Sequence, residues 1–575
     1  MKLFVGDEEA MPKTIVVIGG AQGGPNAAAR AREFDENARI VLLEKHRHVS
    51  WVQAGLRYHL EGRVPRLDEV DREREASFEK RYRIEVRTGA EATALDVDAR
   101  RVHVKNADGS VERLGFDAVI FAGGAEPIWP TIEGLEQRAP GVTHFRNLDD
   151  LHELKSAIDN KAKRAVVIGC GPIGLDAATG LRAAGLEVHI VEANSRILPS
   201  LSLTAARAAA RALERSGTHL HTSTQVTKAE TIEGNRRNLH LSNGEVIEAD
   251  LVVMAIGMRP RTKLLSAAGA SLNPDGSVRV DPHMATTLPR VYACGTAVSV
   301  PHAVTRGHLW LPQAAISDRT SQIAGRSAAT APNGAMESLS PVAGTAMLEA
   351  GGLYFGKTGL NDAEARSFFG GDRIQVVTIH GWTCEAWLGK DDGSREITVR
   401  MVVDRERNVV VGGEVWGPYG VPRRLDILAA AVLEKWAPSR VAALDIAYTP
   451  EIGPAMDPVN AAGIMSALTL QGEAWPLEPE QLALRVARGE DLVLLDVGHG
   501  PRTRDPKWPG ATVEIPLEEL RDRVGELDKE TPIITLSHTG RRGHLAVRIL
   551  RQHGFQEVSH LDGGALSWSL LVDRS

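Results

Sequence analysis

Two stretches constrain this 575-residue chain more than anything else in it. TIVVIGGAQGGPNAAARAREF (14–34) is an apolar run, a glycine turn and an Ala- and Arg-rich helical pattern, and RAVVIGCGPIGLDAATGLRAAGLEVHIVE (164–192) repeats that order. An apolar run with no polar alternation belongs to a parallel strand covered on both faces. A glycine turn entering a helix lets backbone N–H groups approach a pyrophosphate, the opening of a dinucleotide-binding βαβ unit. In the first stretch Gly19, Gly23 and Gly24 hold the glycine positions, and Ala21 replaces the middle one. ARIVLLEK then closes a second strand at Glu44, twenty residues beyond Gly24, where a carboxylate can hold an adenosine ribose, with Lys45 beside it. In the second stretch Gly169, Gly171 and Gly174 complete GxGxxG, and Glu192 follows eighteen residues after Gly174. Two such units imply two dinucleotides. A carboxylate at the second strand end favours NADH because it repels a 2′-phosphate, while the nearby Arg196 keeps NADPH open.

Composition removes several function classes. A net charge of -7, with Arg scattered through amphipathic patterns, gives no affinity for polyanions, so nucleic acid is not an expected partner. MKLFVGDEEA lacks the basic-then-apolar order of a secretory signal and no apolar run approaches a membrane span, so the expected location is cytoplasmic with no membrane span. Only three cysteines occur, Cys170, Cys294 and Cys384, without CxxC or metal-ligand spacing. Neither a disulfide framework nor a metal site is expected. Cys170 and Cys294 read as packing residues.

Further strands run into glycine turns: FDAVIFAGGAEP (116–127) with Gly123, ADLVVMAIGMRP (249–260) with Gly257, and VYACGTAV (291–298) with Gly295 and Thr296. This order, one nucleotide domain inserted into another, resembles the pyridine nucleotide-disulfide oxidoreductase family over about residues 13–465. Its CoA-disulfide reductase, NADH oxidase and persulfide reductase branch is matched by the VSxxxxGLxYxxxG pattern from Val49 to Gly62, TGLNDAEA (358–365) and AYTPEIGPAMDPVNAAG (447–463). DLVLLDV (491–497), ITLSHTGRRGHLAVRILRQHGF (534–555) and HLDGGALSW (560–568) look like a rhodanese domain. The resemblance implies an α/β chain with two nested Rossmann-like domains, an α+β dimerisation domain and a C-terminal α/β rhodanese-like domain. The boundaries are a 1–12 extension, FAD domain 13–155 and 275–330, NAD(P) domain 156–274, dimerisation domain 338–465, linker 466–477 and rhodanese-like domain 478–575.

The same resemblance implies FAD and NADH as cofactors and a homodimer whose aromatic side chains reach the partner's flavin; Tyr448 and Trp387 occupy such places. It also exposes departures. The family's redox cysteine falls on Ala54, which has no atom able to attack sulfur. Gly295-Thr296 stands where the family has Gly-Asp, so the contact to the ribitol loses its charge. The rhodanese cysteine falls on Ser537, within a loop that keeps Arg541 and Arg542 but cannot store persulfide sulfur. Ser50 and Gln53, with Arg30 and Arg32 on the first helix, are the expected contacts for a CoA-like substrate. Arg57 is the expected cation for an anionic acceptor and His59 a candidate proton donor.

The function expected is an FAD-dependent NAD(P)H:acceptor oxidoreductase that passes hydride to FAD and then directly to a small-molecule acceptor, such as a CoA-linked activated double bond, in a cysteine-free site. One alternative is a CoA-disulfide or persulfide reductase in which Cys384 or a substrate thiol replaces the lost residue. Another is a non-catalytic flavoprotein scaffold that docks a sulfur carrier or other protein partner at the rhodanese-like loop.

Overall fold

A computed structural model describes residues 12–66, 75–137, 139–233, 236–331, 337–388, 396–498 and 508–572. The extension expected over residues 1–12 lies, up to residue 11, outside the described residues.

Parallel strands in the order Val291–Ala293, Ala118–Phe121, Thr14–Ile18, Arg39–Glu44 and Ile84–Thr88 form the first nucleotide sheet. Ile15, Val16 and Val17 expose no surface, which is why their run carries no polar alternation. Helix Gly23–Phe34 packs along helix Ala314–Thr330 through small residues. A Cβ on Gly325 would lie 2.3 Å from the Ala27 carbonyl oxygen, so any side chain there forces the helices apart. A second parallel sheet contains Glu187–Val191, Arg164–Ile168, Leu251–Met254 and Val142–Thr143. A three-stranded antiparallel sheet accompanies each: Glu91–Asp96, Arg101–Lys105 and Val111–Gly115 with the first, Val226–Thr231, Arg237–Leu241 and Val246–Ala249 with the second. The repeated sequence pattern is a repeated structure.

The chain divides into two compact units. One runs up to Ala193 and includes Thr224–His302 and Arg306–Pro341; the other holds Asn194–Ser223, Ala303–Thr305 and the chain from Val342 onward. Asn194–Ser223, expected inside the nucleotide domain at 156–274, therefore clusters with the second unit. The reason is visible in its helix, Leu203–Arg215. Arg207 and Arg211 donate to the carbonyls of Leu570 (3.2 Å) and Val572 (2.9 Å) at the end of helix Gly564–Leu571, where unpaired carbonyls attract cations. The N–H of Ser202, its N-cap, donates to Glu414 at 2.6 Å.

In the second unit an antiparallel sheet runs Ala346–Ala350, Leu353–Gly359, Val409–Gly417, Glu396–Asp404, Ile374–Trp382. Helices Val421–Leu433 and Pro458–Leu470 cover it through Val399, Met401, Val415, Leu425, Leu428 and Val459. Arg424, fully buried, forks onto Asp457 at 3.0 and 2.8 Å and ties these helices together. A parallel sheet of Pro476–Leu477, Val558–Leu561, Ile533–Leu536, Val493–Asp496 and Thr512–Glu514 follows, with helix Arg541–Gln552 among its cover. Among the described residues no helix is long and apolar enough to cross a membrane.

Candidate active site

Both glycine turns are built for close backbone approach. Gly19 has φ +111°, and a Cβ there would lie 2.3 Å from the Ala122 oxygen; one on Gly24 would lie 1.8 Å from the Gly19 oxygen. The second turn reproduces this, with Gly169 at φ +101° and a Cβ on Gly174 placed 2.1 Å from the Gly169 oxygen. These distances lie far inside van der Waals contact, so the turns exclude side chains. They leave the N-termini of helices Gly23–Phe34 and Pro172–Ala183 bare. The acids expected at the strand ends brace the turns. Glu44 accepts from the N–H of Gly20 at 2.6 Å and of His46 at 2.8 Å, and Glu192 accepts from the N–H of Cys170 at 2.9 Å. Backbone donors at a helix end, room for a phosphate and a buried acid at the next strand fit a dinucleotide at each turn. Lys45 is exposed beside Glu44. At the far end of the first site, the Gly295 N–H donates to Thr320 Oγ1 at 3.0 Å. Thr296 Oγ1 lies 3.6 Å from the Cβ position of Gly124. Gly123 has its Cβ position against the Phe121 ring, and Gly257 has φ +128°.

Ala54 is the N-cap of helix Gly55–Leu60 and is exposed. Ser50, at φ 57°, donates its N–H to Gly20 at 2.8 Å, so the Ala54 segment is anchored to the first glycine turn. Gln53 Oε1 accepts from Arg146 Nη1 at 3.4 Å.

Four of the expected side chains have partners inside the chain. Arg57 does not present its charge to an acceptor: its side chain runs along the helix to Glu61 at 2.5 Å and across to Asp176 at 3.4 Å, and those carboxylates neutralise it. His59 is not a free proton donor. Its Nδ1 meets the Val64 carbonyl at 2.7 Å and must carry the hydrogen, so Nε2 accepts from Lys155 at 3.2 Å. Arg32 is buried and donates to the carbonyls of Tyr82, Asp35, Glu36 and Arg83, a structural staple that cannot turn to a CoA phosphate. Arg30 pairs with Glu33 at 2.6 Å and Glu337 at 3.7 Å and lies over the Phe34 ring.

All three cysteines are buried: Cys170 is 1% exposed, Cys294 and Cys384 not at all. Burial, with Glu192 adding to it, pushes the Cys170 thiol up to about 12, and burial does the same to Cys294 despite its hydrogen bond with Ser321. Tyr448 and Trp387, by contrast, are 55% and 72% exposed, and the Tyr448 hydroxyl bonds to Glu385.

In the rhodanese-like loop Ser537 is buried and its Oγ accepts from the Gly543 N–H at 3.1 Å. The carbonyls of Ser537 and His538 accept from Ala565 and Leu566 at 2.9 and 3.1 Å. Arg542 pairs with Glu518 at 3.3 Å, and Arg541 is exposed. Beside this loop stand two groups that the sequence reading missed. His380 is held between Thr398 Oγ1 (2.8 Å) and Ser567 Oγ (2.9 Å), and burial, then the neighbouring His538, lowers it to about 3, so it is neutral. Asp562 accepts from the Thr378 N–H at 3.0 Å with one oxygen while the other has no partner among the described residues, and burial raises it to about 7. Asp562 stood inside the HLDGGALSW stretch, which was read only as a mark of the domain, and His380 carried no such signal.

The chain matches the family model for pyridine nucleotide-disulphide oxidoreductases over residues 13–315 and that for rhodanese-like domains over residues 502–571. It is 28% identical over 452 residues to an NADH oxidase of Methanocaldococcus jannaschii, covering 78% of this chain and 97% of the relative. It is 28% identical over 454 residues to an NAD(P)H coenzyme A polysulfide/persulfide reductase of Pyrococcus horikoshii, covering 78% and 98%. The crystal structure of reduced Bacillus anthracis CoADR-RHD superposes with a TM-score of 0.90 at 25% identity, covering 97% of this chain and 98% of that one. With its paired glycine turns, braced acids and nested sheets, the chain belongs to the pyridine nucleotide-disulphide oxidoreductase family and carries a C-terminal rhodanese-like domain.

Proposed function

We propose that this NAD(P)H-dependent flavin oxidoreductase hands electrons from the flavin directly to a small-molecule acceptor, with no protein thiol between them. One observation carries the reading: Ala54, on which the resemblance puts the redox cysteine, is exposed with only a methyl, and all three cysteines are buried. Thiol–disulfide exchange requires a thiolate with access, and the two thiols pushed up to about 12 stay protonated at neutral pH.

FAD, when bound, supplies the hydride and electron chemistry. The chain's own residues place it: the first glycine turn takes the pyrophosphate, Glu44 the adenosine ribose, and Thr296 the opposite end, while the Gly169–Gly174 turn and Glu192 hold NAD(P)H. The acceptor we favour is CoA-linked, which rests on Ser50 and Gln53 beside Ala54 and on the coenzyme A named for the Pyrococcus horikoshii relative. The arginines expected to clamp its phosphates are engaged elsewhere, so the acyl end, not the nucleotide end, has to provide the recognition. We also propose a homodimer joined through Trp387, Tyr419, Tyr448, Ile452 and Met456, large apolar side chains that the single chain leaves exposed.

The test is anaerobic bleaching of bound FAD by NADH and then NADPH, followed by addition of enoyl-CoA esters, CoA disulfide, polysulfide, a quinone and oxygen in separate experiments. Rapid return of the yellow colour with an enoyl-CoA ester supports the acceptor class; return with disulfide or polysulfide alone overturns it, and no bleaching at all defeats the enzyme reading. Light scattering after size exclusion reads the dimer.

A further inference from the structure

We propose that the rhodanese-like domain is held against the antiparallel sheet by a proton-dependent latch, a seam of carboxylates with too few cations that opens as the medium turns alkaline and uncovers the Ser537 loop. Arg400, buried in strand Glu396–Asp404, is the seam's central cation. It donates at 2.8 Å to Asp362, at the start of helix Asp362–Phe369, and stands 3.5 Å from Glu478, the N-cap of helix Pro479–Ala487 on the rhodanese-like side. Arg366 makes a second pair with Glu478. Glu414 takes the Ser202 N–H and Asp562 the Thr378 N–H, each with one oxygen. Glu480 acts on both Arg400 and Glu478. Two guanidiniums therefore face five carboxylates, Asp362, Glu414, Glu478, Glu480 and Asp562. Among the described residues Asp362 Oδ1, Glu414 Oε2, Glu480 Oε2 and Asp562 Oδ2 are buried without a hydrogen-bond partner.

Buried carboxylates without matching cations keep protons. Burial raises Asp562 to about 7 and raises Glu414 and Glu478 as well, while Arg400 pulls all three the other way. The docked state thus binds more protons than the open one. Docking is complete below the free carboxyl's 3.8 and is lost as pH rises through about 7. The histidines at the seam do not oppose this. Burial lowers His380 and His560 to about 3, so both stay neutral across the window; His544, whose ring meets His560, is lowered too, and the loop's own His538 acts on His380. The ties from Arg207 and Arg211 to the carbonyls of Leu570 and Val572 contain no acid, so they hold while the seam opens. The loop lies against the seam. A Cβ on Gly564 would sit 2.1 Å from the Ser537 oxygen and one on Gly563 2.9 Å from His380 Nε2, so the sheet's histidine and the loop's serine flank one glycine pair. With the domain docked, Ser537 is 3% exposed.

The test places a thiol in the loop of the full chain with Ser537→Cys and follows its alkylation by iodoacetamide from pH 6 to pH 9, each rate divided by that of the urea-unfolded chain at the same pH. Cys170, Cys294 and Cys384 are buried, and mass spectrometry reads the peptide carrying residue 537 separately. The ratio is expected to rise about tenfold or more, since one proton lost across one pH unit supplies a factor of about ten. Adding Asp562→Asn or Glu414→Gln, each of which keeps an acceptor oxygen, should hold the rise below about threefold. Hydrogen exchange of the parent chain, timed to equal intrinsic rates, is the second reading: the Thr378 amide should lose protection at pH 9 while those of Ile533–Leu536 keep theirs. A ratio flat with pH overturns the proposal, and so does an equal rise in both carboxamide variants. A Thr378 amide equally protected at both pH values overturns it even if Ser537→Cys does not fold. Loss of protection at Ile533–Leu536 overturns it as well, because the domain would then be unfolding and not undocking.

Discussion

Replacing Glu44 by Gln tests the architecture at its most specific contact. The two carboxylate oxygens take different partners, Oε2 the Gly20 N–H at 2.6 Å and Oε1 the His46 N–H at 2.8 Å, in a site only 8% exposed. A glutamine amide has one oxygen and one NH2 group, so whichever way it turns, one backbone N–H faces another donor. A hydrogen bond to a charged group is worth about 1.5–3 kcal/mol, so losing one through a disordered turn weakens FAD by about 10- to 150-fold. Fluorescence titration of the apoprotein with FAD measures this. The control is Glu192→Gln, whose acid braces the other turn through the Cys170 N–H; it should weaken NADH and leave FAD alone. The reasoning fails if Glu44→Gln binds FAD within twofold of the parent, or if the two variants weaken FAD equally.

Gly24→Ala puts a methyl 1.8 Å from the Gly19 oxygen, and the turn must open; FAD absorbance should be absent from the purified protein, while an unchanged flavin content would contradict the close-approach argument. Asp457→Ala leaves Arg424 buried without its partner, and a loss of about 3–5 kcal/mol in chemical denaturation is expected. Asp562 takes its proton near pH 7 in the folded chain against 3.8 in a free side chain, so the folded state binds more protons across that window. Its contribution is complete below about pH 4 and fades as pH rises to 7. Asp562→Asn, which keeps the bond from Thr378, should therefore melt above the parent at pH 8 by up to about 4 kcal/mol and show no advantage at pH 4. Equal melting curves at both pH values would remove the buried-acid interpretation.

What the sequence disclosed was whatever is written in local pattern. Both βαβ units, their glycines and both acids were legible because a strand, a tight turn and a helix are contiguous, and their chemistry depends on backbone shape. The partners of the charged side chains were not legible. Arg57 and Arg32 have the residue type for anion binding, but long side chains choose among partners brought together by folding, here Asp176 and the carbonyls after Tyr82. The clustering of Asn194–Ser223 with the second unit likewise follows from distant carbonyls and Glu414.

The central claim, transfer from flavin to acceptor without a protein sulfur, is tested most directly by stopped-flow reoxidation of the NADH-bleached protein carrying Cys384→Ala. The account predicts an acceptor-driven rate within twofold of the parent and no long-wavelength thiolate-to-flavin band in either protein. A rate reduced a hundredfold, or such a band in the parent lost in the variant, would contradict it.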